Sequence, residues 1–406
     1  MRAASRCRPR LLGNSYSFQM IWVWIILFCS VLFWIGLAFM LITTSRRVRS
    51  LPAATREAHP LVSVICPARD EADELEAAMR SRLEDPSTDL EFILINDRST
   101  DSTGAIMDQL AREDDRVRVI HLTELPDGWL GKVHAQQRGL DLARGDWILF
   151  SDADVHLKPD LMSSAMTWAK DQQADHVALI PRIAGGPVLM RACLAVMMII
   201  LVAALKLWKA NDDEADRAMG VGAFNLVRRQ ALEDAGGMEQ LRMEIADDVG
   251  IGTIIRESGG TARLAVATDR LSVRWYRSTR DFLQGMEKGA AKAGGRIGLL
   301  LRAMMVLCLT VLLLIPFIMV CTWALVPSGI GITAAIGCLI AIGTGLASAL
   351  RFGLPWIWTG VLPLGLILTL LVAQRSLWLA IIRGGVRWRG DLHRLQDARS
   401  GERVRL

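Results

Sequence analysis

Three short stretches of this chain concentrate acids at spacings that chemistry can use. They are Pro67-Ala68-Arg69-Asp70-Glu71, Asn96-Asp97-Arg98-Ser99-Thr100-Asp101-Ser102 and Ser151-Asp152-Ala153-Asp154. Two carboxylates two residues apart after a strand suit a hard cation that keeps several waters and also grips a diphosphate. A lone acid after an earlier strand suits hydrogen bonds from the base or ribose of a nucleotide. Each stretch has an ordinary structural explanation as well. Ser, Thr and Asp favour turns and helix N-caps, and Asp97 to Asp101 fit those positions. Asp-x-Asp alone is a weak metal signal, so the weight rests on joint placement, with three acid-bearing loops at one sheet edge converging on one cleft.

The elements that must place them there are legible. Short apolar runs alternate with amphipathic ones, the pattern of a parallel sheet wrapped by helices. Strands are expected at 61–66, 90–95, 117–121, 147–151 and 176–181, and helices at 72–82, 102–112 and 132–143. In such architectures ligands sit beyond the carboxyl ends of the strands, where the three acidic stretches fall.

The polar block spans about residues 55–295 and is bracketed by grease. Of the 406 residues, 52% are hydrophobic and 22% charged, more apolar than an ordinary soluble domain. The excess is concentrated in runs 21–44, 303–326, 330–350 and 352–373, which contain no Asp, Glu, Lys, Arg or His. Each is long enough to cross a hydrocarbon core roughly 30 Å thick. That excludes a wholly soluble protein, a disordered chain and a disulfide scaffold. The expected division is an N-terminal tail (1–17), an uncleaved anchor (18–45), the polar domain, a membrane region with about three spans (299–382) and a basic tail (383–406). Arg46, Arg47, Arg49 and Arg56 follow the first run, and Arg383, Arg387, Arg389, Arg394, Arg399, Arg403 and Arg405 crowd the tail. Such clusters mark the cytoplasmic side of a membrane and can touch anionic headgroups, so no nucleic-acid partner is expected. The seven cysteines, Cys7, Cys29, Cys66, Cys193, Cys308, Cys321 and Cys338, form no C-x-x-C pair. They read as apolar fillers.

The stretches VSVICPARDEADEL, ILINDRSTDST and GKVHAQQRGLDLARGDWILFSDADV together resemble the family 2 glycosyltransferases. Further on, Gly222-Ala223-Phe224-Asn225-Leu226-Val227-Arg228-Arg229 with Gly236-Gly237 is similar to the family's acceptor-side segment, and Ile245-Ala246-Asp247-Asp248-Val249 to its E-D-V motif. The membrane layout resembles bacterial members acting on polyisoprenoid lipids, hopanoid-associated and carotenoid-type transferases among them. The resemblance implies a nucleotide-diphospho-sugar transferase fold, GT-A-like with a mostly parallel sheet, flanked by transmembrane helices. It also implies an inverting transfer from a UDP-sugar with a divalent cation, Mg2+ or Mn2+. By resemblance Pro67, Ala68, Arg69, Glu71 and Asp97 hold the uracil and ribose, Lys132 lies near the diphosphate, Asp152 contacts nucleotide and metal, and Asp154 holds the metal. Asp248 is implied as general base, with Asp247 orienting it. Helix capping is the competing explanation for both aspartates, and a solvated helix-opening lysine is the one for Lys132.

Departures from the family pattern are informative. Asp70 stands for the usual Asn, Asn96 for the first Asp of the second motif, and Asp247 for the usual Glu. No Q-x-x-R-W occurs, since Leu271 occupies the Gln position of Leu271-Ser272-Val273-Arg274-Trp275. That favours a single sugar transfer over processive polysaccharide synthesis, and Arg277 remains a candidate for the diphosphate. A catalytically silent sugar-nucleotide or lipid-binding module is the third possibility, and the survival of Asp154 and Asp248 argues against it. The apolar stretch 192–205, within a possible interfacial helix at 187–208, is expected to seat the cleft on the bilayer, with Met197, Met198 and Trp208 lining the way in for a lipid. A buried helix on the sheet has comparable standing. Three later spans would place the basic tail opposite a cytoplasmic catalytic block in the cell's inner membrane, against the positive-inside rule. Either one run is re-entrant or the tail is an exception, and 374–382 is a candidate interfacial continuation of the last span.

Overall fold

A computed structural model describes residues 12–53, 59–85, 89–215, 218–287, 296–388 and 391–394. Arg2, Arg6, Arg8, Arg10, Cys7, Arg56, Arg389, Arg399, Arg403 and Arg405 lie outside the described residues. The chain begins with helix α1 (Leu12–Arg47) and then alternates β1 (Val62–Ala68), α2 (Ala72–Leu83), β2 (Leu90–Asp97), α3 (Thr103–Glu113), β3 (Val117–Leu122), α4 (Gly131–Leu140) and β4 (Trp147–Phe150). There follow β5 (Val155–Leu157), α5 (Leu161–Asp171), β6 (His176–Ile180), β7 (Arg182–Ile183), α6 (Val188–Ala204), β8 (Asn225–Arg228), α7 (Arg229–Asp234), α8 (Asp247–Glu257), β9 (Ala262–Val266), β10 (Leu271–Val273) and α9 (Thr279–Gly285). Helices α10 (Arg296–Cys321), α11 (Ser328–Arg351) and α12 (Leu362–Arg383) and the hairpin β11 (Gly385–Trp388) and β12 (Asp391–Arg394) complete it.

Seven strands form one sheet in the order β3-β2-β1-β4-β8-β6-β9. It is parallel except at β8, which runs antiparallel to both β4 and β6. Every residue of β1 is buried, as expected of a strand covered on both faces. Val62, Val64 and Cys66 point into one core layer with Leu75 and Met79 of α2. Ile65 points into the other, with Val133 of α4 and Ile251 and Ile254 of α8. A small sheet, β5-β10-β7, closes the flank.

Four helices are long and apolar enough to cross a membrane: Met20–Arg47, Ile297–Cys321, Ser328–Arg351 and Trp356–Arg383. They mark the chain as membrane-associated. Their outer faces carry exposed side chains such as Phe39, Leu339 and Ile297, which only hydrocarbon solvates without cost. Two ends shift from the sequence expectation. The run at 303–326 begins about two turns earlier, at Arg296, and breaks at Cys321. The run at 352–373 becomes a helix only from Leu362 and continues through Gln374 and Arg375 to Arg383, so 374–382 is helical and continuous with the last apolar helix.

The last of these helices does not mirror the others. Helix α11 ends on the catalytic side, where Arg351 donates to the Val48 carbonyl and to Ser50 Oγ (3.1 Å). From there the chain descends, and Leu362 packs beside Trp34 and Ala341, each midway along its own helix. Helix α12 then climbs back, so that Leu377 and Ala380 meet Leu299 and Ala303 at the start of α10 and Arg383 meets Glu287 of the catalytic block. Both ends of the segment 352–383 therefore lie on one side.

Helix α6 is the plate between domain and bundle. Met190, Cys193, Leu194, Met197 and Met198 pack toward the domain and the catalytic-side ends of α1 and α11. Val196 and Ile199 pack against Trp34, Leu362 and Leu366. A helix packed on two sides needs no polar face, and this packing fits the buried of the two readings of 187–208 better than the interfacial one.

Candidate functional site

The carboxyl ends of β1, β2, β4 and β6 open into one cavity of about 1180 Å³. Its polar end is lined by Pro67, Ala68, Arg69, Glu71, Asp97, Lys132, Asp152, Asp154, Asp247 and Asp248, so all ten residues assigned to donor, metal or base reach it, whereas Arg277 does not line it. Its other wall is apolar, with Ile180, Met198, Leu201, Leu205, Met219, Trp275 and Tyr276. Met198 is the member of the expected Met197, Met198 and Trp208 trio that lines it. The ring of Trp275 stacks on Tyr276 at 5.4 Å.

The loops are cross-braced. Asp70 sits at φ 55 and its Oδ1 accepts from Thr100 N at 2.7 Å. Asp101 Oδ2 accepts from Ala72 N and its Oδ1 from Thr103 N. The turn-and-cap explanation thus holds for Asp101, whereas Asp97 turns into the cavity with Arg98 Nε on its Oδ1 at 2.8 Å. Arg277 pairs with Glu71 and Asp73 at 2.8 Å each, and Arg274 turns outward to Glu74.

The loop after β4 is held from beneath by a residue that sequence reasoning missed. Arg82, 1% exposed, donates from Nη2 to the Asp152 carbonyl and from Nε and Nη2 to the Val155 carbonyl. At the end of an amphipathic helix it reads as a solvated cation, and only the packing of α2 on β5 turns it inward. From the far side, Asp152 N donates to the Gly222 carbonyl, and Gly222 N donates to Asp248 Oδ2 at 3.0 Å. One glycine therefore ties the Asp-x-Asp loop to Asp248. A Cβ on Gly222 would stand 2.7 Å from Asp152 Oδ2, and one on Gly220 1.6 Å from the Asp248 carbonyl oxygen, so both close approaches require glycine.

Asp247 and Asp248 open helix α8, but the N-cap is Ala246 and no side chain caps it. The capping explanation fails for both. Asp247 Oδ2 receives Gln136 Nε2 at 3.0 Å and Lys132 Nζ at 3.1 Å, one turn apart on α4. Lys132 also reaches Asp152 Oδ1 at 2.8 Å. The neighbouring aspartates hold its ammonium charged despite burial, so it is not a solvated lysine. Burial, and then the charge of Asp247, push the Asp248 carboxyl up to about 6, with Lys132 opposing. Asn225 steadies the same turn, its Nδ2 donating to the Asp248 carbonyl.

Asp154 is pushed up to about 7 by burial and by the charges of Asp152 and Glu71. Carboxylates crowded to that degree fit a cation. Among the described residues no three His, Cys, Asp or Glu side chains form a ready cage. A hard divalent cation can be held by one or two carboxylates, its shell completed by water and phosphate.

Residues 63–235 match the model of glycosyl transferase family 2. The chain carries a family 2 glycosyltransferase domain. Over 202 residues it is 31% identical to glycosyltransferase AglD of Haloferax volcanii, covering 45% of this chain and 29% of that protein. Over 196 residues it is 28% identical to beta-monoglucosyldiacylglycerol synthase of Nostoc sp., covering 47% of this chain and 40% of that one. The chain spans about a third of the length of the curated relatives it matches. Its fold is shared with mannosyltransferase PcManGT from Pyrobaculum calidifontis, solved in complex with GDP-Man and Mn2+, at TM-score 0.50 and 18% identity over 89% of this chain and 99% of that one. The glycosyltransferase domain is thus GT-A-like, built on a mostly parallel sheet and flanked by the four apolar helices.

Proposed function

We propose that this chain is an inverting glycosyltransferase moving one sugar from a UDP-sugar to a lipid held in the membrane. The observation that carries the reading is the continuity of one cavity, from the carboxylates at the sheet edge to the apolar wall of α6. A water-soluble donor and a lipid acceptor need such a two-character site to meet. The relative named for a glucosyl diacylglycerol supports a lipid acceptor. The neighbour solved with GDP-Man and Mn2+ supports a nucleotide-sugar donor with a divalent cation.

In this reading the Pro67–Glu71 loop and Asp97 take the base and ribose, and Lys132 leaves Asp152 to meet the incoming diphosphate. Asp152 and Asp154 hold the cation, Mg2+ or Mn2+, which when bound neutralises charge on the departing diphosphate. Asp248 takes the proton of the acceptor hydroxyl as its oxygen bonds to the anomeric carbon, opposite the breaking bond to the diphosphate. A carboxyl titrating at about 6 is deprotonated near neutral pH yet more basic than an ordinary one, which suits a general base. Asp247, tied to Lys132 and Gln136, holds the turn in place. Leu271 in place of the motif Gln, and Arg274 turned to Glu74, favour one transfer over polymer synthesis. The domain divisions at 55–295 and 299–382, an inner-membrane multi-pass location and a cytoplasmic catalytic face belong to the same proposal.

Membranes containing the chain, given radiolabelled UDP-sugars and GDP-mannose with Mn2+, should yield organic-extractable label that vanishes with EDTA and in Asp248→Asn. Undiminished label in that variant would remove Asp248 as base. No transfer from any donor in a broad acceptor panel would favour a binding module.

A further inference from the structure

The same cavity holds a charge cluster that the proposed chemistry does not use. Glu287, its side chain 7% exposed, receives Arg375 Nη1 on Oε1 at 3.1 Å and Arg383 Nη1 on Oε2 at 2.9 Å. Both arginines sit on α12, eight residues apart, and all three residues line the same cavity as Asp248. Arg375 Nη1 also donates to the Leu283 carbonyl at 3.4 Å, and among the described residues the two guanidinium groups make no further hydrogen bond. Two guanidinium groups on one carboxylate leave a net positive charge and N–H donors in the cavity.

The position of the pair is fixed by its neighbours. Leu377 and Ala380, which lie between the two arginines on α12, pack with Leu299 and Ala303 where α10 starts, and Ile245 packs on the same cluster. Gln374 Nε2 donates to the Ala303 carbonyl at 2.7 Å. The arginines thus lie beside the first two turns of α10, at the end of the helical bundle that meets the polar domain. Ile245, three residues from Asp248, ties that level to the reacting end. An amphipathic ligand with its tail along Met198, Leu201 and Leu205 would bring its head to these cations.

We propose that Arg375 and Arg383 bind a phosphate carried by the lipid acceptor's headgroup, displacing Glu287. This rests on the glycosyltransferase reading of the cavity and adds the acceptor's chemical class. Planar guanidinium groups in a half-enclosed site favour phosphate oxygens over neutral hydroxyls, and re-entry of α12 delivers the pair to the cavity instead of the opposite leaflet.

The test uses the full chain in detergent and four short probes: farnesyl phosphate, farnesol, dioctanoyl phosphatidic acid and dioctanoylglycerol. Binding is followed by native mass spectrometry, with UDP plus Mn2+ binding measured in the same preparation. At least one phosphorylated probe should bind ten-fold or more tighter than its phosphate-free counterpart, and which one does identifies an isoprenoid or a glycerolipid carrier. Arg375→Gln and Arg383→Gln should each weaken that probe about ten-fold and leave UDP binding unchanged. Equal binding of phosphorylated and unphosphorylated probes, or wild-type affinity in both variants, overturns the assignment. Should an arginine variant fail to fold, Glu287→Gln decides: removal of the competing carboxylate should tighten the phosphorylated probe several-fold, and unchanged or weaker binding counts against the proposal. A phosphate preference lost in the arginine variants without any UDP signal would uphold the subsite and remove the donor reading. A UDP signal without phosphate preference would do the reverse.

Discussion

Replacing Asp248 with Asn should stabilise the protein while removing its activity. The Asp248 carboxyl is pushed from 3.8 to about 6 by burial and by Asp247. That displacement corresponds to about 3 kcal/mol against the folded state at pH 7.5, at ~1.4 kcal/mol per pH unit. The carboxylate accepts from Gly222 N and Val249 N. An amide keeps one acceptor oxygen, so one of these bonds is lost, at about 1 kcal/mol. The net expectation is a gain of about 2 kcal/mol, or roughly 4–8 °C in melting temperature for a domain of this size. The folded state holds this proton more tightly than the unfolded chain does. Wild-type stability therefore rises as pH falls through about 6, and the advantage of Asn should shrink to under ~1 kcal/mol at pH 5. The assay is thermal unfolding in detergent with EDTA at pH 7.5 and pH 5.0, paired with sugar transfer, which should fall by about 10²–10⁴ if Asp248 is the base. A variant that is destabilised equally at both pH values would refute the account of a strained, charged base.

Three further expectations are independent of that one. Asp154 titrates at about 7 and must be deprotonated to ligate, so Mn2+ affinity followed by electron paramagnetic resonance should drop about ten-fold from pH 8 to pH 6; a flat profile would remove Asp154 as ligand. Arg82→Met leaves the Asp152 and Val155 carbonyls without their charged donor and should cost on the order of 3 kcal/mol, lowering the melting temperature by roughly 6–12 °C; a change within 2 °C would show the loop holds itself. In a cysteine-free background in sealed vesicles, an impermeant maleimide should reach Ile382→Cys from the same face as Arg112→Cys, and Leu325→Cys from the opposite face; labelling of positions 382 and 325 from one face would make α12 a full span.

Sequence periodicity located β1, β2, β3, β4 and β6 to within two residues, because strands buried in a sheet are apolar runs closed by polar loops, whereas the three-residue β5 is too short a run to show. The acids at the strand ends were legible for the same reason: a parallel sheet puts its carboxyl ends on one edge, and the order of residues says which loops those are. Arg82 and Gln136 were not legible, and Gly222 was legible as part of a motif but not as the tie between Asp152 and Asp248. Their roles depend on which neighbour folds over them, and a basic residue at a helix end, a helical Gln and a loop Gly carry no local mark of that.

Composition by itself determined that a polar α/β block is bracketed by membrane-length apolar runs, since run length and missing charge are local properties. It also set out two ways to reconcile the spans with the basic tail. Tertiary structure adds what bears on that choice in the described chain: Arg351 and Arg383 both end beside the polar domain, and α6 packs between domain and bundle. An apolar run reports that a segment leaves water; whether it crosses, returns or lies across is set by the partners that cover its faces, here Trp34, Ala341 and Leu299, which are remote in sequence.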